Sequence, residues 1–187
     1  MRRRVRALVA AATVVALAAC GGDGAVDGSD ASAPVPTGPV DCAPAPPPLV
    51  VDQIGDALAA VAADRPGPQR FFEVNATAAV VNMFLATTDA AGRSATAPYS
   101  WAAGQLRGES EQEASGNTFE AAAITLDPER VLSCVSALLP DSQLDAFVVE
   151  GGPDGAVRYS VVLTSQQGGQ LVVEVNGQGQ VLAVDPV

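Results

Sequence analysis

The chain has 187 residues, among them ten basic residues, 21 acidic residues and no histidine, for a net charge of −11. That balance argues against a nucleic-acid partner and against general adhesion to anionic head groups, since both demand a positive surface. All ten bases are arginines. Without lysine or histidine, the chain lacks the commonest general base, the commonest metal ligand and the usual switch near neutral pH.

Met1-Arg2-Arg3-Arg4-Val5-Arg6 is a compact positive charge, and residues 7–19 are small or apolar except for Thr13. A basic start followed by a short apolar run has the form of a secretory signal, too short for a comfortable membrane span. The run ends Leu17-Ala18-Ala19-Cys20-Gly21, which resembles the lipobox of bacterial lipoproteins. The resemblance implies cleavage before Cys20, a diacylglyceryl group on its sulfur, and a palmitate-type lipid anchor on the extracytoplasmic face of the cell membrane. An ordinary secretory signal with a chance cysteine is the alternative. Cleavage removes four arginines and leaves six against 21 acids, a net charge of −15.

Residues 20–48 then read as a tether. They are rich in Gly, Pro, Ala, Ser, Thr and Asp, with no aromatic residue, and cannot bury enough surface to offset their ordering entropy. Residues 49–187 are ample for one domain with a single core. Val50, Val51, Ile54, Leu58 and Val61 are spaced to line one helix stripe, which residues 64–68 end. A second helix is expected after Asp127, a good N-cap, with Pro128 in the first position. Its apolar face carries Val131, Val135, Leu138 and Leu139, with Cys134 at the edge, and Pro140 stops it.

The rest reads as strands, over residues 70–75, 79–87, about 96–106 and 118–125, then 144–150, 157–164, 171–175 and 181–184. Turn signals separate most of them, such as Gly151-Gly152-Pro153-Asp154-Gly155 and Asn176-Gly177-Gln178-Gly179. Both halves are helix followed by four strands. An offset of 78 residues aligns Val81, Met83 and Leu85 with Tyr159, Val161 and Leu163, a pattern open to reading as a duplication or as the ordinary likeness of apolar strands. The expected fold is α+β: two helices packed on one curved, half-barrel-like antiparallel sheet of about eight strands. Several strands are apolar on both faces, as with Val80 and Phe84 against Val81, Met83 and Leu85, and both faces then need cover. Ordinary core, a partner, or a cavity for an apolar ligand would each supply it. For the cavity, the candidate lining is Val81, Met83, Leu85, Tyr159, Val161 and Leu163.

Of the three cysteines, acylation of Cys20 leaves Cys42 and Cys134 as an even pair in an oxidising compartment, and a disulfide between them is expected. No nucleophile elbow, P-loop, C-x-x-C or zinc-protease motif occurs. Glu109, Glu111 and Glu113 alternate in a polar loop and read as a solvated charge run rather than a calcium site. Asn75-Ala76-Thr77 reads as a turn. Tyr99 and Trp101, beside Arg107, read as core or as the lining of an apolar pocket. No metal, cofactor or enzymatic activity is expected.

The C-terminal half also resembles a known family. Asp127-Pro128-Glu129-Arg130-Val131-Leu132 opens a helix, and Asp145-Ala146-Phe147-Val148-Val149-Glu150-Gly151 follows as a strand. After residues 157–164 comes Val172-Val173-Glu174-Val175-Asn176-Gly177-Gln178-Gly179-Gln180-Val181. This order resembles the mycobacterial lipoprotein family of LppX and LprG over about the last sixty residues, and the first half by element order. The family resemblance implies a curved antiparallel half-barrel with helices on one face and an apolar lipid-binding cavity, used to carry lipids across the envelope. The shorter first-half strands and the acidic loop depart from it. The resulting expectation is a non-enzymatic, lipid-anchored envelope protein binding a lipid or other apolar ligand. The alternative is a protein-interaction module with an envelope protein as partner, because tandem helix-plus-four-strand repeats resemble secreted β-lactamase inhibitors that bind through a concave sheet face.

Overall fold

A computed structural model describes residue 42 and residues 48–187. The expected signal peptide, the expected Cys20 anchor and most of the expected tether lie outside the described residues. A 3-10 turn, Val51–Gln53, runs into helix α1, Ile54–Asp64. Val51, Ile54, Ala57 and Val61 are buried and Leu58 packs beside them, so the stripe legible in the sequence faces the core. Strands β1 (Phe71–Ala76), β2 (Val81–Thr88), β3 (Ser94–Ala102), β4 (Gln105–Gly108) and the two-residue β5 (Gln112–Glu113) follow. Helix α2, Pro128–Leu138, starts where expected: the Asp127 carboxylate accepts the Arg130 backbone N–H at 3.2 Å, and Pro128 occupies the first turn. Strands β6 (Ser142–Gly151), β7 (Val157–Ser165), β8 (Gln170–Val175) and β9 (Val181–Pro186) complete the fold.

The sheet is antiparallel and open, in the order β4-β3-β2-β1-β6-β7-β8-β9, with β5 beside β3. Each helix precedes a meander of strands, and the two meanders meet where β1 pairs β6, Val74 opposite Val149. The fold is therefore α+β, and both halves share the helix-plus-strands topology. α1 packs over β2, β3 and β4, and α2 over β6. Between helices and sheet lies one core, whose largest fully buried side chains are Phe71, Phe119, Phe147, Met83, Leu132 and Leu163.

Two strand expectations are corrected. The single strand over residues 96–106 is a hairpin, β3 and β4, turning at Ala103 and Gly104 with φ of 50° and 75°. Left-handed backbone at both central positions suits a two-residue hairpin turn, and glycine takes it without the Cβ penalty that Ala103 bears. Residues 118–125 are not a strand. Phe119 forms an isolated bridge with Phe71, their N–H···O=C bonds 2.8 and 2.9 Å long, and Ala121–Ala123 then coils into a 3-10 turn. Phe119 is anchored by burial while the alanines after it have no β-branched side chain to favour extension. Gly151 lets this segment approach β6, since a Cβ there would fall on the Asn117 carbonyl.

The far face of the sheet is not continuously apolar. Asn75, Asn82 and Ser100 lie in one cross-strand row, with Asn82 donating to Asn75 at 2.9 Å and Asn75 to Glu73 at 2.6 Å. Phe84 is half-buried opposite Glu73, whereas Val162 is half-buried between Ala146 and Val172. The expected turn at Asn75-Ala76-Thr77 starts later, because Asn75 and Ala76 end β1 and only the Thr77 hydroxyl enters the turn, donating to the Val80 carbonyl at 3.2 Å.

Candidate functional site

The six residues chosen as candidate lining come together on one face, as their alternation requires. Val81, Met83 and Leu85 of β2 and Tyr159, Val161 and Leu163 of β7 are all buried, and all belong to the single core. Neighbours fill the space around them. Phe147 stacks on Tyr159 with centroids 6.3 Å apart, and the Tyr159 hydroxyl accepts the Thr125 N–H at 3.2 Å and donates to Ala123 O at 3.4 Å.

Tyr99 is also core, with its hydroxyl tied to the end of α1. It donates to the Asp64 carboxylate at 2.9 Å and accepts from Arg65 Nε at 2.8 Å, and the Arg65 guanidinium also lies 5.9 Å from the Tyr99 ring centre. Burial, reinforced by the Asp64 carboxylate, holds the phenol above its ordinary range against the opposing pull of Arg65. Its hydrogen bond to Tyr99 also raises Arg65. Trp101 is half-buried against the same core. Glu111 reaches Arg65 at 3.6 Å and Glu113 reaches Arg93 at 3.8 Å, both as exposed pairs of little energetic weight. Among the described residues no group of carboxylates or cysteines is placed to hold a metal ion.

Cys42 and Cys134 sit at disulfide distance, Cα atoms 4.9 Å apart, and form the expected pair across 92 residues of sequence. Residue 42 is thereby stapled to α2.

Among the clefts bordered by the described residues are two whose walls include none of the six candidate residues. One, of about 430 Å³, is polar and lies against Arg70, Glu120 and Asp154. Arg70 is already engaged there, donating to the Thr118 hydroxyl at 2.8 Å and the Thr118 carbonyl at 2.6 Å and pairing with Glu120 at 3.3 Å. The other, of about 390 Å³, separates the start of α1 from the segment leading into α2. Val51, Ile54, Leu58, Ala121 and Ile124 supply its apolar wall, and Asp52, Asp127 and Glu129 also border it. Gly55 lines it too, with open space where a Cβ would be.

This apolar cleft is the residue of imperfect contact between the two helical segments. Val51, Ile54 and Leu58 belong to the α1 stripe, and the Ala121–Ala123 turn is too small-chained to meet them fully. Gly55, out of place in a helix stripe, is the one signal in the sequence that could have marked the cleft. No helix among the described residues is long and apolar enough to cross a membrane. Comparison with family models, curated proteins and solved structures finds no match to this chain.

Proposed function

We propose that the chain is a lipid-anchored envelope protein, held at the extracytoplasmic face of the cell membrane through acylated Cys20, that binds the apolar part of a lipid or similar amphiphile without chemical turnover. The cleft between α1 and the Ala121–Pro128 segment carries this reading: about 390 Å³, broadly open to solvent, bordered by Leu58 and Ile124 and by the nearly buried Val51 and Ile54. Its volume falls in the range of small-molecule sites. Burying one methylene there contributes about 0.8 kcal/mol, so a few methylenes suffice for measurable binding. The lipobox-like Leu17-Ala18-Ala19-Cys20 supplies the anchor and the acidic tether keeps the domain soluble beside the bilayer. The six-residue wall of Val81, Met83, Leu85, Tyr159, Val161 and Leu163 serves in this proposal as the packed floor of the domain, and the cleft as the seat of the ligand.

The test is extraction of the full chain from its membrane, with mass spectrometry of the intact protein and of co-purified lipid. The expected result is acyl mass on Cys20 and a lipid retained by the unaltered chain but lost from Gly55→Trp, whose side chain would occupy the cleft. A bare N-terminus cleaved elsewhere refutes the anchor, and identical lipid content in the two proteins refutes the cleft.

A second reading, a protein-interaction module, rests on a different observation. The exposed large apolar residues among those described are Leu182, Val184 and Val187, on or just after the edge strand β9. An open, apolar sheet edge is suited to pairing with a strand of another protein. Leu182→Lys should abolish association with an envelope partner under this reading and leave lipid binding untouched.

A further inference from the structure

We infer that the ligand of the apolar cleft is a single-chain amphiphile with a cationic head, an alkyl or acyl chain bearing an ammonium group, rather than an anionic lipid. The inference rests on the cleft being a ligand site, as proposed above, and adds the chemistry of the head group.

The charge around the cleft is one-sided. Asp52, Asp127 and Glu129 line it, and no arginine does. Four of the chain's arginines are committed to carboxylates elsewhere: Arg65 to Glu111, Arg70 to Glu120, Arg93 to Asp89 and Glu113, and Arg158 to Glu150. Neither Asp52 nor Glu129 forms an ion pair among the described residues. Asp127 gives one oxygen to the Arg130 N–H as the helix cap.

The opposing term is the pair of helix starts at this place, whose free N–H groups favour anions. Each helix end amounts to roughly half an elementary charge, so two contribute about +1 against three carboxylates. With Arg130, which adjoins Glu129 and forms no ion pair among the described residues, the site stays negative by about one charge. A carboxylate or phosphate head seated at this rim would meet like charge, whereas an ammonium would meet partners that currently have none. The apolar wall and acidic rim together select the class: the chain is gripped by Ile54, Leu58 and Ile124, and the head by Asp52 and Glu129.

Exposed charge contacts of this kind are worth a factor of roughly 1.5 to 5 each. Since the rim attracts a cation and repels an anion, the two heads on one chain should differ by roughly tenfold or more at low salt. At about 1 M salt, where screening acts within about 3 Å, most of that difference should vanish. Each added methylene should tighten binding by about fourfold for all heads alike until the cleft is full.

The experiment uses the full acylated chain in neutral phosphatidylcholine vesicles and three photoactivatable probes of equal chain length: an alkylamine, an alkyl alcohol and an alkyl carboxylate. Labelling is mapped to peptides spanning residues 51–58 and 121–129 and normalised to labelling of the lipid. The amine should label the cleft most, the alcohol less and the carboxylate least, with the order compressed at high salt. The double variant Asp52→Asn, Glu129→Gln should bring the amine down to the alcohol and leave the alcohol unchanged. Equal labelling by amine and carboxylate at low salt overturns the cationic head while leaving the cleft as a lipid site. If the amine outlabels the carboxylate but the double variant changes nothing, the rim carboxylates are not the cause and the inference also fails. Labelling of neither peptide by any probe overturns the ligand site itself.

Discussion

Reduction of the Cys42–Cys134 bond should cost this domain a large part of its stability while leaving its folded contacts unchanged. The bond closes 92 residues of chain, from Cys42 to Cys134 in α2, and encloses α1 and β1 to β5. In the chain-entropy model, a closure of that length removes enough freedom from the unfolded state to stabilise by about 4–5 kcal/mol. For a domain of this size each kcal/mol corresponds to about 2–4 °C, so Cys134→Ala should lower the melting temperature by roughly 10–15 °C. Because the effect lies in the unfolded ensemble, the freed chain should expand further and the urea m-value should rise. The assay is paired urea titration of the oxidised and reduced protein, followed by tryptophan fluorescence from Trp101, with peptide mapping to show the linked pair. A loss below about 1 kcal/mol, or a midpoint shift with an unchanged m-value, would refute the entropic account.

Three further outcomes are expected. Gly55→Ala should stabilise by about 0.4–1 kcal/mol in chemical denaturation, since the new Cβ points into open space and the helix gains a better former. Val161→Trp should lower stability by about 1–3 kcal/mol or more, because Val161 is fully buried among packed neighbours; an unchanged melting temperature would reveal unfilled space behind the sheet. Tyr99→Phe should cost about 1 kcal/mol through the lost bonds to Asp64 and Arg65. Tyr99 holds its proton more tightly when folded, so stability should fall as pH rises above the ordinary phenol value of 10.0, and the fall should be smaller in Tyr99→Phe.

α1 with β1 to β4 and α2 with β6 to β9 trace the same path, and β1 and β6 join them across the middle of the sheet. Met83 and Val161 occupy corresponding buried positions on β2 and β7. α1 lies over β2 to β4 and α2 over β6, and the cleft lies between the start of α1 and the segment leading into α2.

Much of this architecture was legible before any coordinates. The stripe of Val51, Ile54, Leu58 and Val61, the Asp127-Pro128 start of α2 and the alternation of Val81, Met83 and Leu85 are local signals, set by helical and strand periods and by cap chemistry. Leftover-cysteine arithmetic likewise pointed to Cys42 with Cys134. Two strand readings failed. Residues 96–106 split at Ala103-Gly104, where Gly104 is a local turn signal that the single-strand reading passed over, and Trp101 pairs with Leu106 across the turn. Phe119 pairs with Phe71 alone and buries its ring against it, with ring centres 6.2 Å apart, and the chain beyond it does not extend the ladder. Alternation established that Val81, Met83, Leu85, Tyr159, Val161 and Leu163 share a face, but could not tell a filled face from a hollow one. That distinction depends on what stands opposite, here Phe147 and the two helices. The cleft depends on the same kind of relation: it is volume left between α1 and the Ala121–Pro128 segment, set by the contact of elements some seventy residues apart and carried by neither alone.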